Sequence, residues 1–231
     1  MGEKLKRAGN IFLDPVKVFQ DLREEKDWIF PLIVIIIASL LASFLVYDVI
    51  SSPEYREEMQ QEMAREMEEE LSEEELQMIQ EQQNDSFIML VTVISIFVGG
   101  LILFLFIYLI FALFLWLIGK FKGNEYPFSR TFSVAAYIGL VGSLGNILNG
   151  ILIYLQRDLE LEINLALIFP GLEGTLGTIA SYINIFGVWL VILLALAVSV
   201  FYEIKKRNSF ILLFLLWAIL KFGQYYLGTL I

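Results

Sequence analysis

The sequence predicts an all-α integral membrane protein, a bundle of five transmembrane helices with a cytoplasmic N-terminus and an extracytoplasmic C-terminus. Apolar residues make up 58% of the 231 residues and charged residues only 18%, which is too apolar for an ordinary globular domain. The charges are crowded into a few stretches and leave five long windows almost without them. Because about 20 apolar residues are needed to cross a bilayer as a helix, each window predicts one span.

The five spans and their connecting segments divide the whole chain. In order, we predict a cytoplasmic amphipathic segment (1–27), span one (28–50), an acidic extracytoplasmic helical arm (51–86), span two (87–119), a cytoplasmic loop (120–131), span three (132–156), an extracytoplasmic extended segment (157–175), span four (176–202), a cytoplasmic loop (203–208) and span five (209–231).

Span two is longer than a bilayer requires. Its charge-free window has 34 residues, which is about 51 Å of helix against about 30 Å of hydrocarbon. We therefore expect this helix to tilt, to kink at Gly99 and Gly100, or to continue unbent out of the membrane.

The orientation follows from the distribution of lysine and arginine, which are retained on the cytoplasmic side. With the N-terminus inside, twelve of these residues lie in cytoplasmic segments and three on the other side. The opposite orientation would invert this ratio. We therefore predict a multi-pass protein of the cell membrane.

The N-terminal segment predicts a short amphipathic helix. Asp14 is a suitable N-cap, and Pro15 suits the first helical position. Val18, Phe19 and Leu22 then fall on one side, with charged residues on the other. We expect the helix to lie at the cytoplasmic head groups and frame span one, with partner or lipid recognition as the alternative.

The acidic arm accounts for the formal net charge of −10, because residues 53–86 hold 13 acidic and 2 basic residues. An apolar residue recurs at every fourth position there, at Tyr55, Met59, Met63, Met67 and Leu71, as in an amphipathic helix. The segment has no glycine for a calcium-binding turn. We expect a solvated, partner-facing or membrane-skimming arm, with cation binding as the weaker alternative.

Two further segments have distinctive patterns. Residues 158–168 alternate polar and apolar side chains, which favours an extended conformation over a helix. Lys221 is the only charge placed within a span. It is predicted to reach the outer head groups or pair with Glu173, with Gln224 also near in sequence, and the alternative is a functional intramembrane charge.

Small and polar residues recur along spans three and four. We expect the two faces to meet, because small residues allow close approach in lipid and amides bond across the interface. The alternative is a polar solute path between these spans. The candidates for either role are Gly139, Gly142, Ser143, Asn146, Asn149, Ser181 and Asn184.

The absence of histidine and cysteine restricts the chemistry. Without these residues the chain has no imidazole base, thiol nucleophile, disulfide or thiolate metal site. We predict no catalytic residues, no enzyme activity, no cofactor and no metal. The acidity is confined to one segment, so nucleic acid is not an expected partner.

Four stretches together resemble the Ypt-interacting protein (Yip) family of five-span membrane proteins, in its short prokaryotic form. The family-motif positions are Asp27, Pro31, Tyr137, Phe186 and Trp189. They fall in or beside DPVKVFQDL (14–22), DWIFPL (27–32), YIGLV (137–141) and NIFGVWLVILLALA (184–197). The chain departs from the family in having Phe30 where eukaryotic members often have glycine.

The resemblance implies a membrane protein without catalysis, whose eukaryotic relatives bind Rab-type GTPases in vesicle trafficking. The N-terminal segment has only 27 residues here, which argues against transferring GTPase binding. We therefore expect a non-enzymatic scaffold or adaptor that acts through the lipid bilayer, through protein partners or through self-association. The alternative is a small transporter or channel that uses the Asn-lined path.

Overall fold

The computed structural model describes residues 2–57, 85–124 and 126–228, and this part of the chain is helical, with one isolated bridge between Asn164 and Asn184. The helices are α1 (Gly2–Leu13), α2 (Pro15–Glu24), α3 (Ile29–Ile50), α4 (Asp85–Ile94), a π-helical turn (Ser95–Gly99), α5 (Gly100–Phe121), α6 (Phe128–Gln156), α7 (Leu165–Ile168), α8 (Gly174–Ser181), α9 (Ile185–Tyr202) and α10 (Lys206–Gly228). Most of the predicted acidic arm, 58–84, lies outside the described residues.

Five of the described stretches are long and apolar enough to cross a membrane, as the sequence predicts. They are Ile29–Ile50, Leu90–Phe121, Phe128–Gln156, Ile185–Tyr202 and Lys206–Tyr226. Half of the α6 window and half of the α9 window are buried, against 11% for α10. The bundle is therefore built around α6 and α9, and α10 presents most of its apolar surface to the surroundings.

The fourth span begins later than its charge-free window suggests. The chain leaves the helical conformation after α8, and the Asn184 side chain accepts a hydrogen bond from Gly187 N (3.1 Å) to start α9. An asparagine cap of this kind separates two helices that composition alone merges into one.

The long second span contains its irregularity beside Gly99 and Gly100. Ser95–Gly99 forms a π-helical turn, in which the hydrogen-bond register shifts by one residue. Both glycines have ordinary right-handed helical dihedrals, so the freedom of glycine is not the cause. Within the turn, the Ile96 carbonyl accepts a hydrogen bond from the Ser43 hydroxyl of α3 (3.1 Å).

The N-terminal helices form a hairpin that runs along the fourth span. Asp14 caps α2 by accepting from Lys17 N (3.3 Å), with Pro15 at the first position, so the predicted cap is confirmed. The Phe12 ring lies 5.6 Å from the Trp189 ring, and Arg23 pairs with Glu203 (2.8 Å). The buried apolar side chains of the hairpin are Ile11, Val18, Phe19 and Leu22.

The hairpin follows the axis of α9. Trp189 and Glu203 are 14 residues apart, which is about 21 Å along a helix, and the hairpin contacts both. Its buried apolar side chains belong to the same core as those of α6 and α9. The predicted place of this segment at the cytoplasmic head groups stays a prediction.

The predicted extended segment is only partly extended. Asn164 accepts a hydrogen bond from Leu167 N (2.9 Å) and starts the short helix α7, so the prediction is wrong from Leu165 onward. Local capping by the asparagine side chain overrides the alternating pattern.

Candidate functional site

Asp27, at the entry to the first span, is the centre of a buried polar cluster. Its carboxylate side chain is only 2% exposed and accepts from Lys4 Nζ (3.0 Å) and Arg7 Nη1 (3.3 Å) of α1. The Tyr137 hydroxyl of α6 donates to the same carboxylate (2.7 Å). One side chain therefore joins the N-terminal hairpin to spans one and three, and we call these four residues the Asp27 latch.

Further bonds hold the latch in place. Asp27 N donates to Ser133 Oγ of α6 (3.0 Å), and Arg7 Nη2 pairs with Glu25 (2.9 Å). Burial lowers the pKa of Arg7, but its contacts with Glu25 and Tyr137 outweigh that effect, so the pKa is raised overall. Arg7 therefore stays charged as a partner of Asp27.

The other family-motif positions lie in spans one and four. Pro31 is buried in the first turn of α3, where its missing N–H needs no partner. Trp189 packs edge-on against Phe12 of α1, and Phe186 packs against Gly145 of α6. The motifs are therefore joined to one another through the hairpin and α6.

A second polar cluster lies at the same end of the bundle. Arg23 Nε donates to the Tyr126 hydroxyl (2.9 Å), and Arg23 Nη2 pairs with Glu203 (2.8 Å). Arg130 donates to the Arg23 carbonyl and lies over the Tyr126 ring, with 5.6 Å between guanidinium and ring centre. We call this end the basic end because of these two arginines; the end of α5, the start of α6 and the end of α9 lie there. Asp48 and Arg157 pair (2.7 Å) at the opposite end.

The glycines of α6 receive large side chains from three neighbouring helices. A Cβ added at Gly139 would lie 2.7 Å from Ile35 of α3 and 3.0 Å from Tyr108 of α5. One added at Gly145 would lie 2.6 Å from the Phe186 ring of α9. Ser143 is buried and donates to the Gly139 carbonyl (2.9 Å).

This differs from the predicted meeting of two small-residue faces. Gly142 lies against Tyr108 and Leu190, both large residues. Ser181 lies in α8, before the fourth span begins, and donates to the Thr178 carbonyl (2.7 Å). The small residues of α6 therefore act as sockets for aromatic and branched side chains.

The two asparagines of α6 line a cavity of about 320 Å³ between spans one, two and three. Its polar lining also includes Ser39, Ser43 and Ser95 of the π-helical turn. This cavity, whose lining is mainly apolar, is formed by spans one, two and three and not by the predicted pair of spans three and four.

Asn149 and Asn184 also have structural roles at the end opposite the basic end. Asn149 donates to the Leu161 carbonyl (3.3 Å) and accepts from Ile163 N (2.9 Å). Asn184, besides capping α9, donates to Glu162 (2.8 Å). Together they hold the 158–164 loop against α6 and α9.

Lys221 lies on α10 and donates to Gln224 Oε1 (3.0 Å), about one helical turn further along. Gln224 is one of the residues that its sequence neighbourhood indicated. The contact lies on the exposed side of α10.

Comparison with known protein families covers the family-motif positions described above. The sequence matches the Yip1 domain over residues 9–227, which includes every motif position above. The chain belongs to the Yip1 domain family. The resemblance predicted from the sequence is therefore confirmed, and the chain is a multi-pass membrane protein.

One curated relative and the solved structures complete the comparison. "Membrane protein YknW" of Bacillus subtilis (strain 168) is 29% identical over 107 residues, which is 46% of this chain and 46% of that protein. The match thus spans about half of the relative's length. No solved structure matches the chain.

The sequence did not single out several residues of these clusters. Four of them entered the sequence analysis only within the count of positive charges that sets the orientation: Lys4, Arg7, Arg23 and Arg130. Tyr126 and Glu203 had no part in it. Their partners are remote in sequence: Arg23 and Glu203 are 180 residues apart. The only signal was the concentration of lysine and arginine beside the ends of spans.

Proposed function

We propose that the chain is a non-enzymatic membrane scaffold or adaptor of the cell membrane, with the basic end in the cytoplasm. The Asp27 latch is the observation that carries this proposal. Motif residues of this Yip1 domain are used there to hold a hairpin onto the spans, through ion pairs and a tyrosine hydroxyl. A buried carboxylate with three donors is a device for joining helices, and it leaves no reactive atom facing a substrate.

The docked hairpin offers a surface for partners. Its apolar side is buried, while Lys6, Lys17, Gln20, Asp21 and Glu24 are exposed. A mixed, solvated face held in a fixed position suits a protein partner or a second copy of the chain. We do not propose a small GTPase, nucleic acid, cofactor or metal for this surface.

The test compares two variants, in each of which one tyrosine is replaced by phenylalanine and loses its hydroxyl group. Tyr137→Phe removes one bond of the latch, and Tyr154→Phe is the matched control on the same helix, remote from the latch. The full chain is recovered from its native membrane after chemical crosslinking, and proteins attached to it are quantified. We expect Tyr137→Phe alone to reduce a defined set of attached proteins, or chain-to-chain crosslinks, several-fold. Equal patterns for the two variants and the wild type would contradict an adaptor working through the hairpin.

The cavity between spans one, two and three favours a second candidate, a small transporter or channel. Its lining is mainly apolar but includes amide and hydroxyl groups, which can interact with a solute inside a membrane. A flux assay in proteoliposomes decides between the two functions. Measurable flux that is lost in Asn146→Leu, which changes the cavity, but kept in Lys221→Met, which lies outside it, would replace the scaffold proposal. No flux in the wild type would remove the transporter.

A further inference from the structure

A polar groove of about 730 Å³ opens at the basic end of the bundle. Its lining comes from α2, from the loop between α5 and α6, and from the first turn of α6, and comprises Gln20, Arg23, Glu24, Tyr126 and Arg130. The groove lies beside the first turn of one span and, through Glu203, beside the last turn of another. Ends of spans are where lipid head groups meet a membrane protein.

The two guanidinium groups of the groove are held in position by the protein. Arg23 is fixed by Tyr126 and Glu203, and Arg130 is fixed by the Arg23 carbonyl and by the Tyr126 ring. The Tyr126 and Glu203 contacts also raise the pKa of Arg23, which keeps it charged. Preorganised groups lose little side-chain entropy when a ligand binds.

Both arginines keep donors for a ligand. A guanidinium has five N–H groups, and among described residues the bonds above use two of those on Arg23 and one on Arg130. The planar fork of arginine matches the oxygens of a phosphate and bonds to them in pairs. The groove thus presents two phosphate-binding groups side by side.

The acidic residues set the kind of phosphate that fits. Glu24 lines the groove and Glu203 pairs with Arg23, so the four charged side chains sum to zero. A groove with no net charge suits a head group that is itself neutral overall, with a singly charged phosphodiester joined to an ammonium group. Glu24 also gives an ammonium group an acceptor beside the phosphate site.

We propose that this groove binds the phosphodiester head group of an amine-bearing phospholipid, of the phosphatidylethanolamine type. Arg23 and Arg130 hold the phosphate, and Glu24 accepts from the ammonium group. Gln20 supplies a neutral donor at the rim. The proposal is independent of whether the chain acts as a scaffold or as a transporter.

Native mass spectrometry of the full chain released from detergent micelles tests this binding. Micelles are supplied in turn with phosphatidylethanolamine, phosphatidylglycerol, phosphatidic acid, or the soluble glycerophosphoethanolamine. We expect about tenfold greater retention of phosphatidylethanolamine than of the other two lipids. The soluble head group should bind far more weakly, because it lacks the acyl chains that hold a lipid beside the spans. Equal retention of all three lipids would overturn the proposed selectivity, and equal binding of the soluble compound would overturn a lipid source.

Three variants assign the roles within the groove. Arg130→Gln should lower retention about tenfold, and its matched control Arg157→Gln, an arginine over Tyr154 at the opposite end, should leave it unchanged. Gln20→Glu adds a carboxylate without touching the bonds that fix the arginines, so it should also lower retention in a chain that folds normally. Glu24→Gln should abolish the preference for the amine-bearing lipid. Retention unchanged by both Arg130→Gln and Gln20→Glu would refute the site.

Discussion

The glycines of α6 matter individually because each faces a particular large side chain. Gly145 faces the Phe186 ring, and Gly139 faces Ile35 and Tyr108. In lipid, where helices gain little from the hydrophobic effect, such close packing is a main source of association. A single methyl group at these positions therefore competes directly with a neighbouring helix.

Gly145→Ala should destabilise the protein. The added Cβ would lie 2.6 Å from Phe186 Cγ, an atom near the start of the side chain that cannot swing aside. We expect a loss of about 1–3 kcal/mol, as for overpacking in other cores, measured as a lower midpoint of thermal unfolding in detergent.

Gly223→Ala is the control for this prediction, because a Cβ there would meet no atom of the described residues within 4 Å. The double variant Gly145→Ala with Phe186→Leu should recover part of the loss. If Gly145→Ala unfolds at the same temperature as the control, α6 and α9 are not packed as described.

Asn149 holds the 158–164 loop through both ends of its amide group. Asn149→Leu removes the acceptor of the Ile163 N–H, and we expect exchange of this N–H with deuterium to accelerate about fivefold, since one hydrogen bond contributes about 1 kcal/mol. Asn146 lines the same cavity, and Asn146→Leu should leave this exchange unchanged. Similar acceleration in both variants would show that the cavity, and not the two hydrogen bonds of Asn149, orders the loop.

At the scale of the elements, the N-terminal hairpin is the part of the bundle that depends most on polar contacts. Four of its apolar side chains are buried, and in addition Lys4 and Arg7 bind a carboxylate that is almost completely enclosed. Removing one partner of a buried ion pair is destabilising because the remaining charge loses its partner. The position of the hairpin should therefore respond to a change at Asp27.

Asp27→Asn should loosen the hairpin from the spans. The chain has no native cysteine, so an Ile11→Cys probe reports the burial of α1 without background labelling. Ile11 is fully buried, and we expect maleimide labelling of the probe to rise about tenfold or more when Asp27 is changed, for a loss of about 1–3 kcal/mol.

Two controls accompany this experiment. Asp21→Asn makes the same chemical change at an exposed site of α2 and should leave Ile11→Cys protected. Leu13 is 85% exposed. A Leu13→Cys probe, used in place of the buried Ile11→Cys probe, should therefore be labelled in every background. Continued protection of Ile11→Cys in the Asp27 variant would mean that apolar packing alone holds the hairpin.

At the scale of the whole molecule, the ends of the bundle differ strongly in charge. Twelve lysines and arginines belong to the segments of the basic end, three belong to the opposite segments, and Lys221 lies within a span. Such asymmetry sets the direction of insertion. We therefore expect the basic end to face the cytoplasm.

Single cysteines test this orientation in intact cells. Glu160→Cys, in the loop opposite the basic end, should react with a maleimide that does not cross membranes. Lys122→Cys, at the basic end, should react only after the cells are permeabilised. The reverse labelling pattern would place the N-terminus outside.

The sequence by itself determined the number of spans, the cap at Asp14 and the membership of the Yip family. These properties are local: a bilayer requires a certain length of apolar helix, and a cap requires a side chain beside its own helix. The π-helical turn at Ser95–Gly99 and its contact with Ser43 were not predicted from the sequence, which offered only tilting, a kink at Gly99 and Gly100, or an unbent helix.

Only the tertiary structure decided which faces of the helices meet. A span that is apolar all round has almost no pattern that fixes its rotation, so the sockets of α6 and the cavity beside Asn146 and Asn149 followed from packing. The Asp27 latch joins residues 110 positions apart. Pairing at that distance depends on how the spans are arranged around α6, and a single sequence carries no local signal of it.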